Sequence, residues 1–403
     1  MGARIENPII VIGGGIGGLA TALGVAETKQ KVKVLEQAPE FGEVGAGIQL
    51  AANATNVLHR LGVMDKINEI AVFPKRLVLM DAFSGEEISA LDLGDVYKER
   101  YGAPYIVLHR SDLHHVLLEA CEENPYIELV TNQMIEKTVQ DEDSITVTAA
   151  NGDRHIGKAV IGADGIWSNT RKLFVEDEAI CSQYVAYRGA IPIEDITTHG
   201  NLDDVYMWIG PNLHLVQYPV RRGELYNQVV VFKSTQYRKE IEYTDEWGTP
   251  EEMDQVFAGT CDPVQKAITF IQRQRRWPMY DRNPISNWTK GRVTLTGDAA
   301  HPMLQYLAQG ACQALEDASY LTDMIHQHGD NLEQAFLKYQ EERIPRTAYV
   351  QKSARTWGEI IHSTNPEGIL LRDIIMKNRT DQDFQFVDQF HGYNNTVKNV
   401  VKA

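Results

Sequence analysis

At 403 residues, with 43% hydrophobic and 23% charged residues, the chain is long enough for two or more domains around a sizeable core. Its formal net charge of −16 argues against a nucleic-acid partner and leaves any anionic ligand to local cations or helix N-termini. Four scattered cysteines, with no CxxC and no His/Cys metal spacing, argue against a disulfide framework or a metal site and point to a reducing cytoplasm.

The stretch Pro8 to Val25 is apolar but punctured by glycines, so it reads as strand, loop and helix and not as a signal peptide or membrane span. Ile9-Ile10-Val11-Ile12 suits a buried parallel strand. Gly13, Gly15 and Gly18 then satisfy GxGxxG, with Ile16 inside the loop. The first glycine permits the tight turn and the second a close approach to a pyrophosphate. The third lets the following helix, about Leu19 to Thr28, pack on the strand. Its N-terminal amides supply partial positive charge for phosphates. A second strand, Lys31 to Leu35, ends at Glu36, where an acid would meet ribose hydroxyls. These features predict a dinucleotide without saying which. The loop from Glu43 to Leu50, with Gly42, Gly45 and Gly47 around it, is either a close approach to a flat ring or a plain connector.

Two regions read as inserts, about Pro74 to Ala103 and Cys181 to Pro278. Their short alternating runs predict an antiparallel sheet forming a second domain. Within it, His214, Val216 and Tyr218 would share one face of a strand. That pair of polar rings is either a site that binds and deprotonates a phenol or an ordinary hydrogen-bonded sheet pair. Arg221 and Arg222 could attract a carboxylate or be solvated turn residues. Val160 to Gly165 and Val293 to Asp298 each run strand, glycine and acid, and Asp298 could serve a ribitol hydroxyl or only cap a helix. His301 before Pro302 could polarise a ligand or be structural. A helix starts near Gly310. From about Leu332 the pattern is helical, interrupted at Pro345, and Ile360 to Ala403 is polar without identifiable chemistry.

GxGxxG at Gly13 to Gly18, Asp164-Gly165 and Gly297-Asp298, in this order, resemble the class A flavoprotein aromatic hydroxylases over nearly the whole chain. The resemblance implies FAD as cofactor, held by Gly13, Gly15, Ile16, Gly18, Glu36, Gly47, Arg110 (within Arg110-Ser111-Asp112-Leu113), Asp164, Asp298, Gly310 and Ala311. With one GxGxxG unit, NADH or NADPH would visit a surface cleft. The implied fold is α/β: a Rossmann-like FAD-binding domain of the glutathione-reductase type from residues 1–73, 104–180 and 279–345, an inserted antiparallel-sheet substrate domain from 74–103 and 181–278, and a C-terminal helical region at 346–403.

Ala300 to Gly310, the His214/Tyr218 pair, Arg100 to Tyr105 and Trp277 to Arg282 resemble the 3-hydroxybenzoate 6-hydroxylase branch. That implies para-hydroxylation to 2,5-dihydroxybenzoate with NAD(P)H and O2 through a flavin C4a-hydroperoxide. His214 and Tyr218 would bind and activate the phenol, with Gln305 as a polar wall and Tyr105 contacting the substrate. Tyr187-Arg188-Gly189 resembles a segment near the flavin. Salicylate, 6-hydroxynicotinate or a non-hydroxylating flavoprotein chemistry are the alternatives, and a homodimer is common among such enzymes.

Overall fold

The computed structural model describes residues 7–42, 45–196 and 202–393. Residues 43 and 44 of the glycine-containing loop, and 394–403 of the C-terminal segment, lie outside them.

Ile9–Ile12 is buried throughout and forms the centre of a six-stranded sheet. Across the sheet the strands run 289–290, 293–295, 159–162, 9–12, 32–35 and 127–130. All neighbours are parallel except the first two, so apolar residues fill both faces of the central strands. The helix that follows the first strand spans Ile16–Glu27, starting earlier than the sequence pattern suggests. Leu19, Leu23 and Val25 pack with Leu315, Ala318 and Leu321 of the long helix Gly310–His328 in one core. Each such buried side chain contributes on the order of 1.5–3 kcal/mol.

The second domain is a seven-stranded sheet ordered 277–281, 180–192, 225–233, 213–220, 205–210, 76–81 and 87–92. It is antiparallel apart from one parallel pair, 76–81 beside 205–210, which joins the two inserts. Its outer strand runs to Asp281, past the expected boundary at 278. A small antiparallel sheet at 135–140, 145–149 and 154–157 was not anticipated.

The expected break at Pro345 is absent: one helix spans Leu332–Ile361 with that proline inside. Packing outweighs the lost amide, because buried residues anchor the helix on both sides of it. Phe336, Tyr339 and Arg343 precede the proline, and Thr347, Val350 and Ala354 follow. The helix Pro366–Lys377 and the turn Asp388–His391 complete the described C-terminal part.

Candidate active site

One cavity of about 810 Å³ runs between the two sheets. At one end it meets Gly15, Ile16 and Gly17 of the fingerprint. It then passes Gly47, Ile48 and Gln49, Asp298 and the helix start at Gly310 and Ala311, and reaches Tyr105, His214, Tyr218 and Gln305. Segments separated by almost the whole chain therefore share one wall.

The fingerprint end is built by backbone geometry. Gly13 has φ +109, and a Cβ there would strike the Ala163 carbonyl; a Cβ on Gly18 would strike the Gly13 carbonyl. Glu36 does not line the cavity. Its carboxylate accepts from the Gly14 amide at 2.7 Å and the Ala38 amide at 2.8 Å, bracing the turn itself. Asp164 likewise turns its carboxylate onto Ser168 and Thr170, at 2.5 and 3.0 Å, while Ala163 and Gly165 on either side of it face the cavity.

Arg110 opens the helix Arg110–Glu122 and lines the cavity. Asp298, exposed in the 3-10 turn Gly297–Ala299, lines it too. That turn is held from behind by Arg171, which donates to the carbonyls of Ala299 at 3.0 Å and Ala300 at 2.7 Å. Arg171 is 1% exposed, and its anchoring role had no local signal in the sequence.

The polar end is where the strand Leu213–Val220 faces the cavity. Alternation brings His214, Val216 and Tyr218 onto one wall. Tyr218 packs over Gly47, where a Cβ would lie 2.5 Å from its ring, and the Gly47 amide donates to Asn227 Oδ1 at 2.8 Å. Burial pushes the Tyr218 phenol well above its usual range, so it stays a hydrogen-bond donor. Tyr105 is buried and donates to Gln49 Oε1 at 2.8 Å. Gln305 lines the cavity from the 3-10 turn Gln305–Leu307.

His214 is 1% exposed and sits 2.7 Å, through Nδ1, from Nε2 of His362. Burial, with His362 beside it, pushes its pKa well below the usual histidine range. The C-terminal segment, read from sequence as carrying no chemistry, thus supplies the site's second imidazole. It also supplies His391, which lines the cavity and meets the Tyr97 hydroxyl at 3.1 Å. Arg100 and Tyr101 hold Asp388 at 2.7 and 2.6 Å, pinning this segment against the site.

His301 faces away from the cavity's lining. Its Nε2 lies 2.5 Å from Asp317, which also accepts from Arg343 at 2.7 Å. Arg221 pairs with Asp112 at 3.2 Å, outside the cavity. Among the described residues no His/Cys/Asp/Glu group could hold a metal ion.

The lining is locally basic in an acidic protein: Arg110, Arg188, Lys352 and Arg379 face it, with Asp298 as its single carboxylate among the described residues. Arg188 stacks on the Trp277 ring at 5.2 Å, and burial lowers its pKa. Two helix N-termini, at Ile16 and Gly310, open on the same space without a side-chain cap or an acid in the first turn. Uncapped amides are donors for a pyrophosphate and for an electron-rich ring edge. These residues fit a long, anionic dinucleotide such as FAD.

Comparison with known proteins agrees. A family model described as "FAD binding domain" matches residues 6–354. A 3-hydroxybenzoate 6-hydroxylase of Polaromonas naphthalenivorans (strain CJ2) is 41% identical over 96% of this chain and 96% of its own. A 6-hydroxynicotinate 3-monooxygenase of Bordetella bronchiseptica is 33% identical over 87% and 91%. In structure, Klebsiella pneumoniae HpxO complexed with FAD and uric acid matches with a TM-score of 0.82 at 24% identity, covering 94% of each chain. The chain therefore belongs to this FAD-binding family and is a flavoprotein aromatic monooxygenase, with FAD as cofactor and NAD(P)H as co-substrate.

Proposed function

We propose that the protein hydroxylates 3-hydroxybenzoate para to its hydroxyl group, giving 2,5-dihydroxybenzoate. The observation that carries this reading is an acceptor and a donor side by side on the cavity wall. His214, held neutral by burial, has a ring nitrogen free to accept a phenolic proton, and Tyr218 keeps its own proton to donate. The relative from Polaromonas naphthalenivorans supports the same substrate.

FAD, when bound, supplies the transfer of reducing equivalents from NAD(P)H and the activation of O2. Gly15, Ile16 and Arg110 would hold its pyrophosphate end, with Gly13, Gly18, Glu36 and Asp164 shaping that cradle, and Gly47, Asp298, Gly310 and Ala311 would receive the rest. The chain's own part in the chemistry is to orient the aromatic ring and make it electron-rich. Val216, Met207 and Val229 wall the ring and exclude water. Tyr105, with Gln305, sets the ring's orientation. Taking the phenolic proton onto His214 raises electron density at the ortho and para carbons, and a base of this kind is worth about 10²–10⁴-fold. The cations of the lining suit a carboxylated substrate.

The second reading is a different aromatic acid, such as 6-hydroxynicotinate or salicylate, favoured by the relative from Bordetella bronchiseptica. A panel of aromatic acids under NADH and NADPH decides between them, with oxidised product scored separately from peroxide. Coupled product from 3-hydroxybenzoate supports the proposal. Coupled product from salicylate or 6-hydroxynicotinate, with only peroxide from 3-hydroxybenzoate, overturns it.

A further inference from the structure

The imidazole behind His214 is held too specifically to be packing alone. His214 Nδ1 and His362 Nε2 are 2.7 Å apart, and their rings stack with centroids at 4.9 Å and planes 20° apart. His362 in turn stacks on Tyr184 at 4.6 Å, and Tyr306 meets both imidazoles edge-on, at 5.6 and 5.0 Å. The backbone fixes the second ring as well. The His362 amide donates to Gly358 at 3.1 Å, and its carbonyl accepts from Asn212, two residues before His214, at 3.0 Å.

A contact of this length between two imidazole nitrogens holds one proton. When that proton sits on His214 Nδ1, the remaining nitrogen of His214, Nε2, is a lone pair available to the cavity. When it sits on His362 Nε2, His214 Nε2 carries a proton and cannot act as a base. The partner therefore decides whether His214 is acceptor or donor toward a ligand.

We propose that His362 is a positioning residue and proton acceptor for His214: as the phenol loses its proton to His214 Nε2, the proton on His214 Nδ1 passes to His362 Nε2. This deepens the proposed function and rests on it. The phenolic O–H bond breaks and a bond to His214 Nε2 forms. The His214 Nδ1–H bond breaks and a bond to His362 Nε2 forms. His214 stays neutral beside the ring, and the positive charge comes to rest one residue further out.

Three observations bear on this arrangement. Burial holds both imidazoles below the usual histidine range, His362 at about 3, so both are neutral before the phenol loses its proton and His362 Nε2 is able to accept. The aromatic groups facing the pair, Tyr184 and Tyr306, are themselves kept un-ionised by burial, with Tyr184 pushed up to about 12, so neither competes for the proton. The chain also turns outward immediately after His362: Ser363 is half-buried and Thr364 exposed.

The test uses the full-length, FAD-loaded enzyme with His362→Phe and His362→Gln. Phenylalanine keeps the stack on Tyr184 but accepts no proton. Glutamine can accept from His214 Nδ1 but cannot carry the proton as a base. Flavin content, the Kd for 3-hydroxybenzoate and the rate of flavin reduction by NADH are expected within about twofold of wild type, and the melting temperature within about 3 °C, in at least one variant. In that variant kcat for hydroxylation falls at least tenfold, and product per NADH falls with it, with Phe more affected than Gln.

Wild-type kcat and product yield in His362→Phe overturn the inference while leaving the proposed function standing. Equal losses in Kd, flavin content and kcat in both variants also overturn it, since that is the mark of a structural role. A wild-type enzyme that hydroxylates no phenolic acid overturns the proposed function itself, and the inference with it.

Discussion

His301 and His214 are both buried, at 0% and 1% exposure, but they keep opposite company. His301 belongs to an ionic cluster in which Asp317 accepts from His301 and Arg343, and Glu316 accepts from Arg343 at 2.5 Å and from Arg346 at 3.0 Å. Arg343 and its two carboxylates are essentially inaccessible, and His301 does not line the cavity. His214 pairs instead with a neutral imidazole and faces the cavity. The first cluster joins the helices 310–328 and 332–361 behind the Gly297–Ala299 turn, and the Gly297 amide ties the turn in by donating a hydrogen bond to Asp317 at 2.9 Å. A histidine locked to a carboxylate holds shape. One paired with another imidazole can still move a proton.

The largest effect that would sharpen this contrast is His214→Ser. Hydroxylation should fall about 10²–10⁴-fold while FAD remains bound, read by single-turnover product formation against flavin absorbance. Undiminished turnover would remove His214 from the chemistry. Arg343→Ala attacks the other cluster by leaving Asp317 and Glu316 buried with less compensation. It should cost about 3–5 kcal/mol in urea unfolding and loosen flavin binding through the Gly297 turn. A cost under about 1 kcal/mol would show that the cluster does not brace the site.

Acid separates the two clusters by pH. His362 has a folded pKa of about 3 against about 6.5 in the unfolded chain, so the unfolded state binds the proton first. Its contribution to stability is complete above pH ~6.5 and is lost, at about 1.4 kcal/mol per unit, as pH falls toward 3. Asp317, held far below the usual carboxylate range by His301 and Arg343 against the opposing pull of burial, keeps its contribution until pH is lower still. Urea unfolding at pH 7 and pH 5 should show a steeper loss in wild type than in His362→Phe. Equal slopes would mean that His362 is protonated as readily in the native state as in the unfolded one.

Much of the fold was legible because its signals are local. Ile9–Ile12 and the glycines lie within one strand–turn–helix unit, and each residue's role follows from its neighbours in sequence. The His214, Val216 and Tyr218 face followed from strand alternation. What could not be read arises from contacts across the chain. His362 sits in a polar helix end, and only the fold brings it to Nδ1 of a residue 148 positions earlier. Arg171 carries no local signal and holds carbonyls 128 and 129 positions away. Pro345 carried a true local rule that tertiary packing overrode. Glu36 and Asp164 were expected on the cofactor, and their carboxylates are found bracing the loops that shape its site.

The smallest effect concerns how closely the two domains meet. Gly47→Ala places a methyl group 2.5 Å from the Tyr218 ring and 2.6 Å from Asn227. A cost of about 1–3 kcal/mol in stability is expected, with weaker binding of the aromatic acid as Tyr218 is displaced. Unchanged substrate affinity would show that Tyr218 does not set the ring's position.

The proposed function requires this cavity to direct oxygen to the carbon para to a phenol activated by His214. The most direct measurement is turnover of 3-hydroxybenzoate under ¹⁸O2 with NAD(P)H, followed by mass spectrometry of the product. The expected product is 2,5-dihydroxybenzoate carrying one ¹⁸O atom on the new hydroxyl. An unlabelled product, or a label placed ortho to the original hydroxyl, would contradict it.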